Sequence, residues 1–169
     1  MSVGNYRDAT QYFLASLDKG SVRSSLYAYL AYAYELNGQT EIALHVAQDA
    51  SLLHQRRIRK LSSPVDLSII AAILHNNGFD EQAYNLFSDA FTLATTQVVY
   101  QKYYSLVYGH QMLLSDISPW TIRTDLILVD TQDDWTWFAE EADRRGDTEL
   151  AEAVTFWLNQ LPGIANLEK

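Results

Sequence analysis

The stretch Tyr27-Ala28-Tyr29-Leu30-Ala31-Tyr32-Ala33-Tyr34-Glu35-Leu36-Asn37-Gly38-Gln39-Thr40-Glu41-Ile42-Ala43 decides the fold. Tyr27, Leu30, Ala31 and Tyr34 are spaced three, four and seven apart, which places them on one face of an α-helix. Gly38 stops that helix, because a C-terminal cap needs a left-handed backbone that glycine adopts without strain. Ala43 opens a second apolar face, and its small side chain lets two helices approach closely. Helix, glycine stop and helix make a hairpin that buries its faces by stacking on similar units.

The same register occurs twice more. Leu67, Ile70, Ala71 and Leu74 stand at the same offsets before Gly78, and Trp135, Phe138, Ala139 and Ala142 before Gly146. Ala83 and Ala151 take the place of Ala43, while Ala50, Ala90 and Leu158 share a later position. From Gly78 to Gly146 is two steps of about 34 residues, a period that marks a helical repeat. Gly38 and Gly78 are one such step apart, plus a short insertion.

A bulky residue, Leu then a small residue, Tyr, Gly and two alanines resemble the tetratricopeptide repeat. The match is closest in residues 24–57. Residues 64–97 add Phe87 in the second helix, and residues 132–165 add Pro162 near the unit's end. Between them Tyr104, Ser105 and Tyr108 fit, but Met112 stands where the family has glycine, and Ser115, Asp116, Ser118 and Pro119 interrupt the expected second helix. The resemblance covers roughly four-fifths of the chain. It implies an all-α superhelix forming a single domain over residues 1–169, with an N-terminal helix followed by hairpin units at about 22–60, 64–97, 98–131 and 132–165.

Helices are accordingly expected at about 3–18, 22–37, 40–60, 64–77, 80–95, 98–114, 119–129, 132–145 and 147–160. Ser63 with Pro64 and Asp66 reads as a capped helix start, as do Thr131 with Asp134, and Asp147. The helix at 40–60 outruns its family counterpart by about two turns and carries a basic overhang from His54 to Lys60. Residues 125–130 have local β character.

The 169 residues carry 48% hydrophobic and 20% charged side chains, which argues against disorder, and no Cys, which excludes disulfides and thiolate metal sites. Apolar runs such as residues 69–74 fall far short of the ~20 residues a membrane helix needs. The N-terminus lacks the apolar core of a signal peptide, so a cytoplasmic protein is expected. Net charge is −9 and uneven, because residues 116–169 hold 12 of the 21 acidic side chains and only 4 of the 12 basic ones. Such a field repels nucleic acid and steers basic partners. Arg56, Arg57, Arg59 and Lys60 form the one basic cluster. It reads either as a solvated helix C-terminus or as a contact for phosphate or an acidic partner.

Signals for catalysis are missing. His45, His54, His75 and His110 show no metal-ligand spacing, and no phosphate-binding glycine loop or nucleophile elbow occurs. Glu41 and His45 read as a surface pair, and His75 as a cap for the last carbonyls of its helix. Asp133-Asp134 and Glu140-Glu141 are adjacent, so each pair points about 100° apart and makes a poor acid–base couple. Glu140 with Arg144 and Glu141 with Arg145 are i,i+4 pairs of a solvated face. No enzyme activity and no cofactor are expected.

In the resembled family the first helices of the units line a concave groove that takes a peptide. The corresponding positions are Ser25, Ala28, Tyr32 and Glu35, then Val65, Ser68, Ala72 and His75. Val99, Lys102, Leu106 and Gly109 follow, and finally Asp133, Thr136, Glu140 and Asp143. Tyr27, Tyr34, Tyr104 and Tyr108 read as core, whereas Tyr29, Tyr32, Tyr100 and Tyr103 lie off the stripe. These off-stripe tyrosines read either as partner anchors or as packing against a neighbouring unit. Lys102 is the only basic residue of this groove, so a clamp for a C-terminal carboxylate is absent. The implied partner is a protein or peptide with apolar anchors and a basic end. The implied role is a chaperone or adaptor, similar in size, acidity and repeat number to the small bacterial chaperones of type III secretion translocators. Two other readings remain open: a regulator contacting nucleic acid or an acidic partner through Arg56–Lys60, and a homodimer or larger self-assembly closed by exposed aromatics.

Overall fold

The structure, a computed structural model, describes residues 6–18, 25–56, 61, 63–108 and 132–159. They are all-helical, with no strand among the described residues. In chain order the helices are α1 (Tyr6–Asp18), α2 (Ser25–Leu36), α3 (Thr40–Gln55), α4 (Pro64–Asn76), α5 (Asp80–Tyr108), α6 (Gln132–Arg144) and α7 (Thr148–Asn159). The chain divides into two compact units, residues 1–90 and 91–169, with the boundary inside α5.

In the first unit α2 packs against α1, α3 and α4, and α3 packs on α4. These neighbours explain why Ala28, Leu30, Ala31 and Ala33 of α2 are all buried although they do not form one stripe. Helix α4 is the heart of this core, with every residue from Asp66 to Leu74 buried. Helix α3 shows the narrower stripe Ala43, Ala47, Ala50, Ser51 and His54, at the spacing of a helix buried on one side. Among the predicted core tyrosines, Tyr27 and Tyr34 are only half-buried.

Three turns share one geometry. Gly38, Gly78 and Gly146 have φ of 72°, 81° and 83°. The N–H of each glycine donates three residues back, to Glu35, His75 and Asp143, at 2.8–2.9 Å. The next N–H, of Gln39, Phe79 or Asp147, reaches the carbonyl of Tyr34, Leu74 or Ala142 at 2.9 Å. This doubly bonded cap satisfies carbonyls that a helix end leaves orphaned. The following helix starts at once: Ala43, Ala83 and Ala151 donate to the carbonyls of Gln39, Phe79 and Asp147 at 3.0 Å. The repeat read in the sequence is therefore a repeat of hydrogen bonds.

In the second unit α6 packs on α7. Trp135, Phe138, Ala139 and Ala142 form the buried stripe of α6, opposite Ala151, Val154 and Trp157 of α7. The rings of Trp135 and Trp157 meet edge to face at 5.1 Å, and Phe91 lies 6.5 Å from Trp135 and 6.4 Å from Trp157. The Asp147 side chain accepts the Leu150 N–H at 3.2 Å, capping α7 as expected.

Several expectations are corrected. The turn placed at residues 96–97 does not exist, because α5 is one helix of 29 residues that joins the segments assigned to two units. Thr95-Thr96-Gln97-Val98-Val99 contains no glycine or proline, and nothing there stops a helix. Helix α3 ends at Gln55 rather than near residue 60, with Arg56 as its C-cap. Ser63 precedes Pro64 in an extended conformation but makes no side-chain cap bond. The helix predicted at 119–129, Thr131 and Met112 lie outside the described residues.

Candidate functional site

The groove-forming positions of the first unit lie on α2 and α4. Of these, Ala28, Ser68 and Ala72 are buried, and the Ser68 hydroxyl donates to the Pro64 carbonyl at 2.8 Å. They offer no surface to a ligand, because these three positions are covered within the packed core of the first unit. Tyr32, Glu35, Val65 and His75 remain half-exposed. Tyr29 is half-buried and its ring stacks on Phe13 of α1 at 6.3 Å, so packing takes up one of its faces. The side chain of Ser25 lies outside the described residues.

Glu35 stands in the last turn of α2, a turn without a basic residue. Its Oε2 is enclosed and has no hydrogen-bond partner among the described residues. His75 holds the equivalent place before Gly78, and its Nδ1 lies 2.8 Å from the Asp80 carboxylate in the first turn of α5. A carboxylate thus holds Nδ1 of this ring. Asn77 performs the carbonyl capping, donating from Nδ2 to Ile73 at 2.8 Å.

At the other end of α4, Asp66 is only 2% exposed, and burial pushes its carboxyl up to about 6. Burial, followed by the nearby Asp66 charge, raises the Tyr29 hydroxyl above its ordinary value. Sequence placed Asp66 in a capping pattern and missed its burial. The apolar run around it, Leu67 to Leu74, was the available signal.

Of the positions in the second unit, Val99, Lys102 and Leu106 lie on the continuous helix α5, with side chains outside the described residues, as is Gly109. Asp133, Thr136, Glu140 and Asp143 are exposed along one face of α6. Glu141 is held by both Arg144 and Arg145, the latter through Nε at 2.8 Å. Arg144 therefore pairs with Glu141 and not with Glu140, three residues apart instead of four.

The basic cluster also changes. Arg56 is exposed, while Arg57, Arg59 and Lys60 lie outside the described residues. His54 does not belong to an overhang. It is buried, its Nδ1 accepts the Leu61 N–H at 3.0 Å, and its Nε2 lies 3.1 Å from Asp89 of α5. Those roles assign the proton to Nε2, and the ring joins α3, Leu61 and α5.

Sequence reasoning also missed a recess of about 480 Å³ lined by Thr10, Gln11, Tyr34, Asn37 and Gln39, all uncharged and polar. No three His, Asp or Glu side chains come together to hold a metal ion among the described residues. Among those residues no helix is long and apolar enough to cross a membrane. Comparisons with protein-family models, with curated proteins and with solved structures give no match to this chain.

Proposed function

We propose that this chain is a non-enzymatic, tetratricopeptide-like scaffold that holds a segment of a partner protein against α2 and α4. The observation that carries the reading is the threefold turn: one glycine cap, one pair of hydrogen bonds and one alanine closing the first turn of the next helix, at three places in the chain. Units built this way expose a regular row of helix faces, a surface suited to extended partners. The half-exposed Tyr32 and His75 supply the aromatic and polar contacts that dominate such binding. A cytoplasmic chaperone or adaptor role follows, and the small chaperones of type III secretion translocators are the subtype that its size and acidity fit.

Affinity capture from native lysate tests the proposal, comparing wild type with a Tyr32→Ala/His75→Ala variant. A partner held by wild type and lost by the variant is the expected result. Equal retention by both proteins, or no retained partner, contradicts it.

A further inference from the structure

We propose that the outer face of α7 is a second docking surface, which receives a basic amphipathic helix of another protein. The surface lies within the second unit and stands independently of the reading built on α2 and α4. Its first support is Phe156, which is 64% exposed, against 42% or less for the exposed leucines and isoleucine of the described residues. Ala151, Val154 and Trp157 form the buried stripe of α7, and Phe156 stands on the opposite side of the helix. Packing against α6 therefore does not account for it. A helix face that meets only water carries polar residues.

The second support is the pattern around that ring. Glu149, Glu152, Ala153 and Phe156 are spaced three, four and seven apart, so they share one face, and all are exposed. This is the spacing of a helix-packing stripe, turned outward. Ala153 lets a second helix come close, and the Phe156 ring beside it supplies an apolar anchor.

Charge selects the occupant. Glu149 and Glu152 flank the apolar pair, while the neighbouring cations, Arg144 and Arg145, are engaged by Glu141. The whole chain carries a net charge of −9. Two copies meeting through this face would crowd both pairs of carboxylates into one contact, which like-charge repulsion opposes. A helix with an apolar stripe flanked by lysine or arginine answers both features. Its apolar side chains cover Ala153 and Phe156, and its cations reach Glu149 and Glu152.

The test begins with display selection of random peptides of about sixteen residues, long enough for a helix, on wild type and on Phe156→Ala. Peptides enriched on wild type and lost on the variant should combine apolar residues with lysine or arginine at helical spacing. Synthesised and followed by fluorescence anisotropy, they should bind Phe156→Ala about tenfold more weakly than wild type at every salt concentration. Glu149→Gln/Glu152→Gln should weaken binding about three- to tenfold at low salt and flatten its salt dependence. Glu41→Gln/Asp49→Asn removes two exposed charges from α3 instead, and should hardly change binding. Every substituted side chain is exposed, so each variant keeps the fold. Equal weakening by the α3 variant overturns the inference, because it assigns binding to the overall negative field. Enriched peptides without cations, or none that depend on Phe156, overturn it as well. So does a dimer of the free protein, seen by light scattering and dissociated by Phe156→Ala, which gives the face to a second copy.

Discussion

Asp66 is the residue whose environment differs most from its place in sequence. Its carboxyl binds a proton more tightly in the folded chain, at about 6, than at the ordinary value of 3.8. The stability it contributes is therefore fully present below about pH 4 and is lost as pH rises through about 6. Asp66→Asn removes the titration. It should stabilise the protein by about 1–2 kcal/mol above pH 6, a gain that vanishes toward pH 4, as read from urea melts across that range. A gain independent of pH would assign the effect to packing instead. His54 makes the opposite case. His54→Ala strands the Leu61 N–H and the Asp89 contact, and should cost about 1–3 kcal/mol. A double-mutant cycle with Asp89→Ala should return a coupling energy above the error of the melts. Neither residue was legible in sequence. His54 adjoins a run of cations that suggested solvent, and Asp66 follows a proline in a pattern that suggested a cap. What decides each is a neighbour distant in the chain.

Turns and helix starts were the legible part at the scale of elements, because their causes are local. A glycine at positive φ leaves its mark in the sequence, and all three anchors carry it. Among the described residues, no atom beyond the adjoining residues lies within 4 Å of a Cβ placed on Gly38, Gly78 or Gly146, so the need for glycine is conformational and not steric. Gly78→Ala should cost about 1–2 kcal/mol, and Gly78→Asn less, since asparagine tolerates the left-handed region better. Equal costs for the two substitutions would argue against that account. Helix α5 shows how a repeat period misleads. Thirty-four-residue spacing demanded a turn near residue 97, yet no stop signal stands there and the helix continues. Gln97→Pro separates the cases. In a continuous helix it costs about 3 kcal/mol or more, whereas a turn would tolerate it.

The whole molecule depends on which helix faces stay open, and periodicity does not reveal that. It identifies the apolar stripe of a helix but not the number of helices around it. Ala28, Ser68 and Ala72 were assigned to a groove for this reason, and their burial withdraws them. What remains is a smaller surface of Tyr32, Glu35, Val65 and His75. In the second unit Phe156 is 64% exposed on α7, and it is the residue to watch for self-association. If it closes a homodimer, light scattering should show Phe156→Glu shifting wild-type dimer to monomer. A scaffold that works alone gives monomer for both.

Amide hydrogen exchange, with and without the partner segment captured by the protein, tests the central claim most directly. Binding along the open face should slow exchange at the α2 and α4 ends that carry Glu35 and His75, and the slowing should be lost in the Tyr32→Ala/His75→Ala variant. Protection confined to the outer face of α3 or to α7, with α2 and α4 unchanged, would contradict the account.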